Sequence, residues 1–162
     1  KRNRRFRKMT GRTFGLDEQS FARAQAALVL ARNLGLIDDS SLTALEERRK
    51  RRNADNARKE AAGEMFYGPH SYTPAMYLQY ELTRLKLDFV QPCEKVREGG
   101  FCPDFTEQEK RDFYEQNRDL FGRYHGDHFT YEEVSQIIEK RLREDAYDKL
   151  IEDVLREFEE GE

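Results

Sequence analysis

The chain has 162 residues, 37% of them hydrophobic and 38% charged, with a mean hydropathy of −0.98. So large a charged share leaves apolar side chains for narrow stripes only, which excludes a thick α/β core, and no run approaches the roughly 20 apolar residues that cross a bilayer. The 29 Lys+Arg and 32 Asp+Glu give a net charge of −3, which excludes a uniformly basic nucleic-acid footprint.

Residues 1–15 read as a basic flexible arm, since Lys1–Arg12 holds seven basic residues and no acid. A lipid-headgroup or nucleic-acid contact is the alternative use of that arm. Residues 16–162 read as one helical domain. Phe21, Ala24, Leu28, Ala31 and Leu34 fall on one helical stripe, with Asp17 placed to cap its start and Gly35 to stop it as a left-handed residue. Asp38–Ser41 is the next start signal. It opens a wet helix to Ala62 whose apolar content is Leu42, Leu45 and a few alanines, and Gly63 ends it. Its Arg48–Arg52 run lacks the interleaved aromatic residues that would stack on bases.

Glu64–Thr73 reads as an extended connector punctuated by Gly68-Pro69. Thr73-Pro74 supplies an N-cap with proline at the first helical position. From Pro74 to Val90 two stripes coexist, Leu78/Leu82/Leu85/Phe89 and Met76/Tyr80/Leu87, so this helix is expected to touch partners on two sides. Cys93–Cys102 looks like a short hairpin or loop turning at Gly99-Gly100. Thr106-x-x-Glu109 is a capping box that starts a helix reaching to about Leu120, and Gly122 breaks the chain after it. Thr130-x-x-Glu133 is a second box, with Phe129 and Val134 as a hydrophobic staple, and it starts a long helix over Tyr131–Phe158. The fold class is all-α, with about five amphipathic helices.

Cys93 and Cys102 flank the Gly-Gly turn with eight residues between them, a spacing suited to a loop-closing disulfide of about 2–3 kcal/mol in an oxidising compartment, or to two free thiols in a reducing one. Alkylation before and after reduction separates the two cases. His125-x-x-His128 with Glu132 and Glu133 contains metal-ligand types but lies at a loop-to-helix junction, which does not pre-set ligands on one face. No metal or cofactor site is assigned. The chain shows no G-x-S-x-G elbow, glycine-rich phosphate loop or H-E-x-x-H, and the reading is of a protein that is not an enzyme. Eight Tyr and eleven Phe gather around the connector, the hairpin and the last junction, Tyr124 and Tyr131 among them. Such rings either glue helix crossings or line a groove for extended polypeptide. The groove candidates are Phe66, Tyr67, Tyr72, Tyr77, Tyr80, Phe113, Phe121 and Phe129.

The Tyr114-Glu-x-Asn117-x-x-x-Phe121 helix resembles one in SurA-like chaperones and PrsA-like extracytoplasmic foldases. Phe129–Leu155 is similar to the C-terminal helix of that family, and Leu30–Asp39, Asn53, Asn56 and Tyr67-Gly-Pro to its helical chaperone domain. The parvulin prolyl-isomerase domain that lies between those helices in the family has no room in the seven residues Gly122–His128. The resemblance therefore implies a SurA N-terminal-domain-like chaperone module without the isomerase, which has no catalytic residue and binds unfolded or extended polypeptide clients. It also implies an extracytoplasmic location, exported or anchored as a lipoprotein with its signal removed. A homodimeric interaction module and a nucleic-acid-binding helical protein are the alternatives, and a membrane enters only through a removed anchor or the basic arm.

Overall fold

The computed structural model describes residues 9–91, 94–101 and 103–161, and those residues are helical with no strand among them. Six α-helices follow in order: α1 Glu18–Asn33, α2 Leu42–Ala61, α3 Pro74–Val90, α4 Glu94–Glu98, α5 Glu107–Gln116 and α6 Tyr131–Glu160. Their starts are set locally. The side chains of Asp17, Ser41, Thr73, Thr106 and Thr130 each accept a backbone N–H of the first turn, which satisfies donors that have no partner inside the helix. Both expected capping boxes close, with Glu109 and Glu133 reaching back to the N-cap N–H at 2.8 and 2.7 Å. These bonds hold the carboxyls of Glu109 and Glu133 below their ordinary range, so the caps weaken as pH falls through that range. Helix α1 ends where Gly35 takes φ +72°, letting its N–H and that of Leu36 return to Arg32 and Ala31.

Two elements differ from the sequence reading. The segment expected as a hairpin contains α4, whose Val96 is fully buried and whose Val96 carbonyl accepts the Phe101 N–H across Gly99-Gly100. Cys93 and Cys102 lie outside the described residues. The helix from Thr106 stops at Gln116, where Asn117 leaves the helical region and donates its side-chain amide to the Phe113 carbonyl. A 3-10 turn over Arg118–Phe121 continues the chain. At the other end, the boundary drawn at residue 15 falls just after a 3-10 turn over Gly11–Phe14 whose Phe14 is buried in the core.

The apolar residues form three clusters. Phe14, Leu28, Leu45, Tyr77, Leu78 and Leu85 join the 11–14 turn to α1, α2 and α3. Leu30, Phe89, Val96, Tyr147, Ile151 and Val154 join α1, the end of α3, α4 and the C-terminal half of α6. Tyr114, Phe121, Tyr131, Val134 and Ile138 join α5 to the N-terminal half of α6. Helix α1 feeds the first two clusters, with Ala24, Leu28 and Ala31 on one side and Ala26, Ala27 and Leu30 on the other. It is thus buried nearly all round, as its short side chains allow. On α3 the Leu78/Leu85/Phe89 stripe is buried, whereas Met76 and Leu87 of the second stripe stay open to solvent.

Leu85 is fully buried at the centre of the first cluster, so Leu85→Ala is expected to lower unfolding free energy by about 2–5 kcal/mol in a urea titration. Tyr147, packed 5.4 Å from the Phe89 ring centroid, has its phenol pushed up to about 12 by burial and then by the charge of Asp148. Its folded value lies above the ordinary 10, so the folded state keeps the proton longer than the unfolded chain. Stability is therefore whole below pH 10 and declines as pH rises through about 12, by about 2–3 kcal/mol from this residue. Urea midpoints measured between pH 9 and 12 are expected to fall less steeply in Tyr147→Phe.

Candidate interaction surface

The twelve residues between α2 and α3 are held by polar side chains of α2. Asn53 donates to the Tyr72 carbonyl at 3.0 Å and accepts the Tyr72 N–H at 2.7 Å. Arg49 donates to the same carbonyl at 2.6 Å, and the buried Asn56 donates to that of Pro69 at 3.1 Å. This clamp seats Tyr72 against the first turns of α3, where its ring centroid lies 5.7 Å from Tyr77 and 5.3 Å from Tyr80. Arg52 lies over the Tyr80 ring at 5.5 Å.

Beneath the clamp, Arg48 forms a two-pronged salt bridge to Glu81 at 2.7 and 2.8 Å and also donates to the Asp39 carbonyl. Glu81 is the one fully buried carboxylate among the described residues. The basic run that could have offered a phosphate-binding face is thereby turned largely inward: Arg48, Arg49 and Arg52 all serve contacts within the chain.

The aromatic candidates do not meet in one groove. Tyr72 and Tyr77 are buried in the first cluster with Tyr80 packed on it, and Phe121 is buried in the third with Phe113 against it, so these five rings glue helices and are closed to an extended chain. Phe66 is half-buried, edge-on to His70 at 5.5 Å. Tyr67 and Phe129 alone of the eight stay exposed, at 93% and 38%, and they sit in different elements. Beside them the structure exposes large residues that the groove reading passed over: Met65 at 94% in the connector, and Leu120 at 57% and Tyr124 at 94% in the loop before α6. Their residue types give no local sign of exposure, because which ring turns outward is decided by long-range packing.

That loop is tightly built. Gly122 and His128 form an antiparallel bridge, the Arg123 N–H donates to the Asp127 carbonyl at 2.6 Å, and the Phe129 N–H donates to the Phe121 carbonyl at 2.9 Å. His125 takes a left-handed backbone at φ +71° followed by Gly126 at +78°. The Tyr114 hydroxyl donates to the Phe129 carbonyl at 2.5 Å and the Tyr131 hydroxyl to Glu107 at 2.7 Å. Arg123 lies 4.0 Å over the Phe129 ring and donates to Glu133 at 2.6 Å, while Arg111 lies 4.2 Å over Tyr131. Glu132 faces Arg111, so both acids beside the two histidines already face an arginine. An open concavity lined by Gly122, Arg123, Tyr124 and Phe129 lies at the tip. A second, of about 370 Å³, lies between α1, α3 and α6, where Asp148 bridges Arg23 at 3.0 Å and Lys86 at 3.7 Å.

No family model and no curated protein matches the chain. Two solved structures do: the native crystal structure of the GH136 lacto-N-biosidase from Eubacterium ramulus, with 33% identity and a TM-score of 0.67, and its selenomethionine derivative, with 34% and 0.66. The likeness covers 83% and 84% of this chain but 27% of the enzyme's; the chain spans about a quarter of the length of the protein it matches. This overturns the resemblance to SurA-like and PrsA-like foldases, together with the chaperone and prolyl-isomerase reading that came with it. The foldase motifs were capping boxes and aromatic helix positions, which helical chains share for physical reasons. The expectation that the chain is not an enzyme is corrected by the same finding, since the solved structures it resembles are glycoside hydrolase chains.

Arg48 and Glu81 test the polar interior directly. Arg48→Ala strands a buried carboxylate and is expected to destabilise by about 3–5 kcal/mol in urea, whereas Arg48→Met with Glu81→Leu is expected to recover most of that loss.

Proposed function

We propose that this chain is the helical part of a GH136-type lacto-N-biosidase, and that it serves the enzyme by packing as a preformed module against the remaining body. The observation that carries this reading is the alignment of most of this chain, at 33% identity, with about a quarter of that enzyme. The chemistry of the acids agrees with a division of labour. Hydrolysis of a glycosidic bond ordinarily needs a carboxylic acid of raised pKa opposite a second carboxylate. Here the buried Glu81 is locked to Arg48, and Asp17, Asp39, Glu46, Asp55, Glu107, Glu109 and Glu133 are held below their ordinary range by backbone donors or cations. This chain then has the task of ordering the surface on which the enzyme's cleavage site is built. The polypeptide that the exposed rings hold is accordingly a defined folded neighbour.

The test replaces the matching segment of the Eubacterium ramulus enzyme with these residues and compares the chimera with the same enzyme lacking the segment. The chimera is expected to elute as one species and to retain at least roughly a tenth of the native lacto-N-biosidase activity, a loss of no more than about 1.4 kcal/mol of transition-state stabilisation; the deletion is expected to be inactive or aggregated. A chimera no better than the deletion would contradict the proposal.

A further inference from the structure

The lobe made by α5, the 118–130 loop and the first half of α6 is the least self-sufficient part of the molecule. Helix α5 has ten residues and packs substantially on α6 alone among the helices. A helix of that length is marginal in water without tertiary support. The lobe nonetheless carries a dense set of order-fixing bonds: two capping boxes, the bridge between Gly122 and His128, the Tyr114 and Tyr131 hydroxyl bonds, and Arg123 pinned between Phe129 and Glu133. What this order presents outward is apolar. Tyr124 and Phe129 are open to solvent and line the concavity at the tip, Leu120 is exposed in the Arg118–Phe121 turn that leads into it, and the Tyr124 ring has no ring partner among the described residues.

Fixing a loop lowers conformational entropy, and exposing a full tyrosine ring on it returns no burial energy inside the chain. The same arrangement is favourable for docking, because a pre-ordered Tyr beside a pre-ordered Arg loses little further freedom on association, and these two residue types dominate interface energetics. Resting on the reading above, we infer that the Leu120/Tyr124/Phe129 tip is the docking face for the remaining body of the GH136-type enzyme, with Tyr124 inserted into an apolar pocket of that body. About three-quarters of the matched enzyme's chain lies outside the aligned part, which supplies an occupant large enough to cover the tip. The pocket is expected to offer carbonyl or carboxylate acceptors at its rim for the Tyr124 hydroxyl and for any N–H of Arg123 that Glu133 leaves free.

The experiment uses the chimera of the preceding section with Tyr124→Ser, and separately with Leu120→Ser plus Tyr124→Ser. In parallel the thermal midpoint and light scattering of the free chain are recorded for each variant. The inference expects the free chain to keep its midpoint, since both side chains project into solvent, while the double variant costs the chimera tenfold or more in recoverable activity and lowers its midpoint. A double-variant chimera that matches the parent chimera overturns the docking face and leaves the proposed function standing. A parent chimera no better than the deletion overturns both. A free chain that dimerises, and loses that dimer on Tyr124→Ser, assigns the face to a second copy and overturns the inference. Should the double variant shift the free chain's midpoint, Tyr124→Ser alone decides by the same comparison.

Discussion

Everything in this fold hangs on α6 being used twice. A chain with so few apolar residues cannot give every helix pair its own core, and the 30 residues of α6, about 45 Å of helix at 1.5 Å per residue, carry two stretches of buried side chains. Tyr147, Ile151 and Val154 face α1 and α3, whereas Tyr131, Val134 and Ile138 face α5. The buried residues of the first half belong to the α5 cluster and not to the clusters that join α1 and α3. A long helix that is supported over one half and loaded over the other behaves as an outrigger, and the outrigger's end is where the exposed rings lie.

Helix α2 solves the opposite problem. It contributes little grease, with Leu45 its one buried large apolar residue, and is tied down by polar bonds instead: the Arg48–Glu81 pair and the amides and guanidinium that clamp the connector. Such bonds add modest net stability but are severe about geometry, because a mispaired buried charge or amide is costly. They fix the register of α2 on α3. The clamp also explains why three tyrosines that could have gripped a foreign strand are instead packed onto their own core.

Much of the helical layout could be read from residues because its causes are local. The Thr73-Pro74 start, the two capping boxes and the Gly35 stop depend on side chains within a few positions of the backbone they serve. The rest depended on contacts between distant residues. Burial of α1 on both sides follows from α6 arriving more than a hundred residues later, and the short α4 is held by its buried Val96 in the second cluster. The Arg48–Glu81 pair spans 33 positions. A faint signal for it existed: Glu81 lies between Leu78 and Leu85 on the buried stripe of α3, a position where a carboxylate needs a cation. The ring candidates could not be sorted by type, since Tyr77 and Tyr124 differ only in what packs over them. The foldase resemblance failed because start signals and aromatic helix positions report helices in general and carry no information on what the helices serve.

Hydrogen exchange of the backbone amides, compared between the free chain and the chimeric enzyme, tests the two-ended use of α6 most directly. The account predicts that in the free chain α5 and the first half of α6 open together with a lower free energy than α1, α3 and the last half of α6, and that this difference shrinks once the hydrolase body is present. Uniform protection along α6 in the free chain, or a weak lobe that stays equally weak in the whole enzyme, would contradict it.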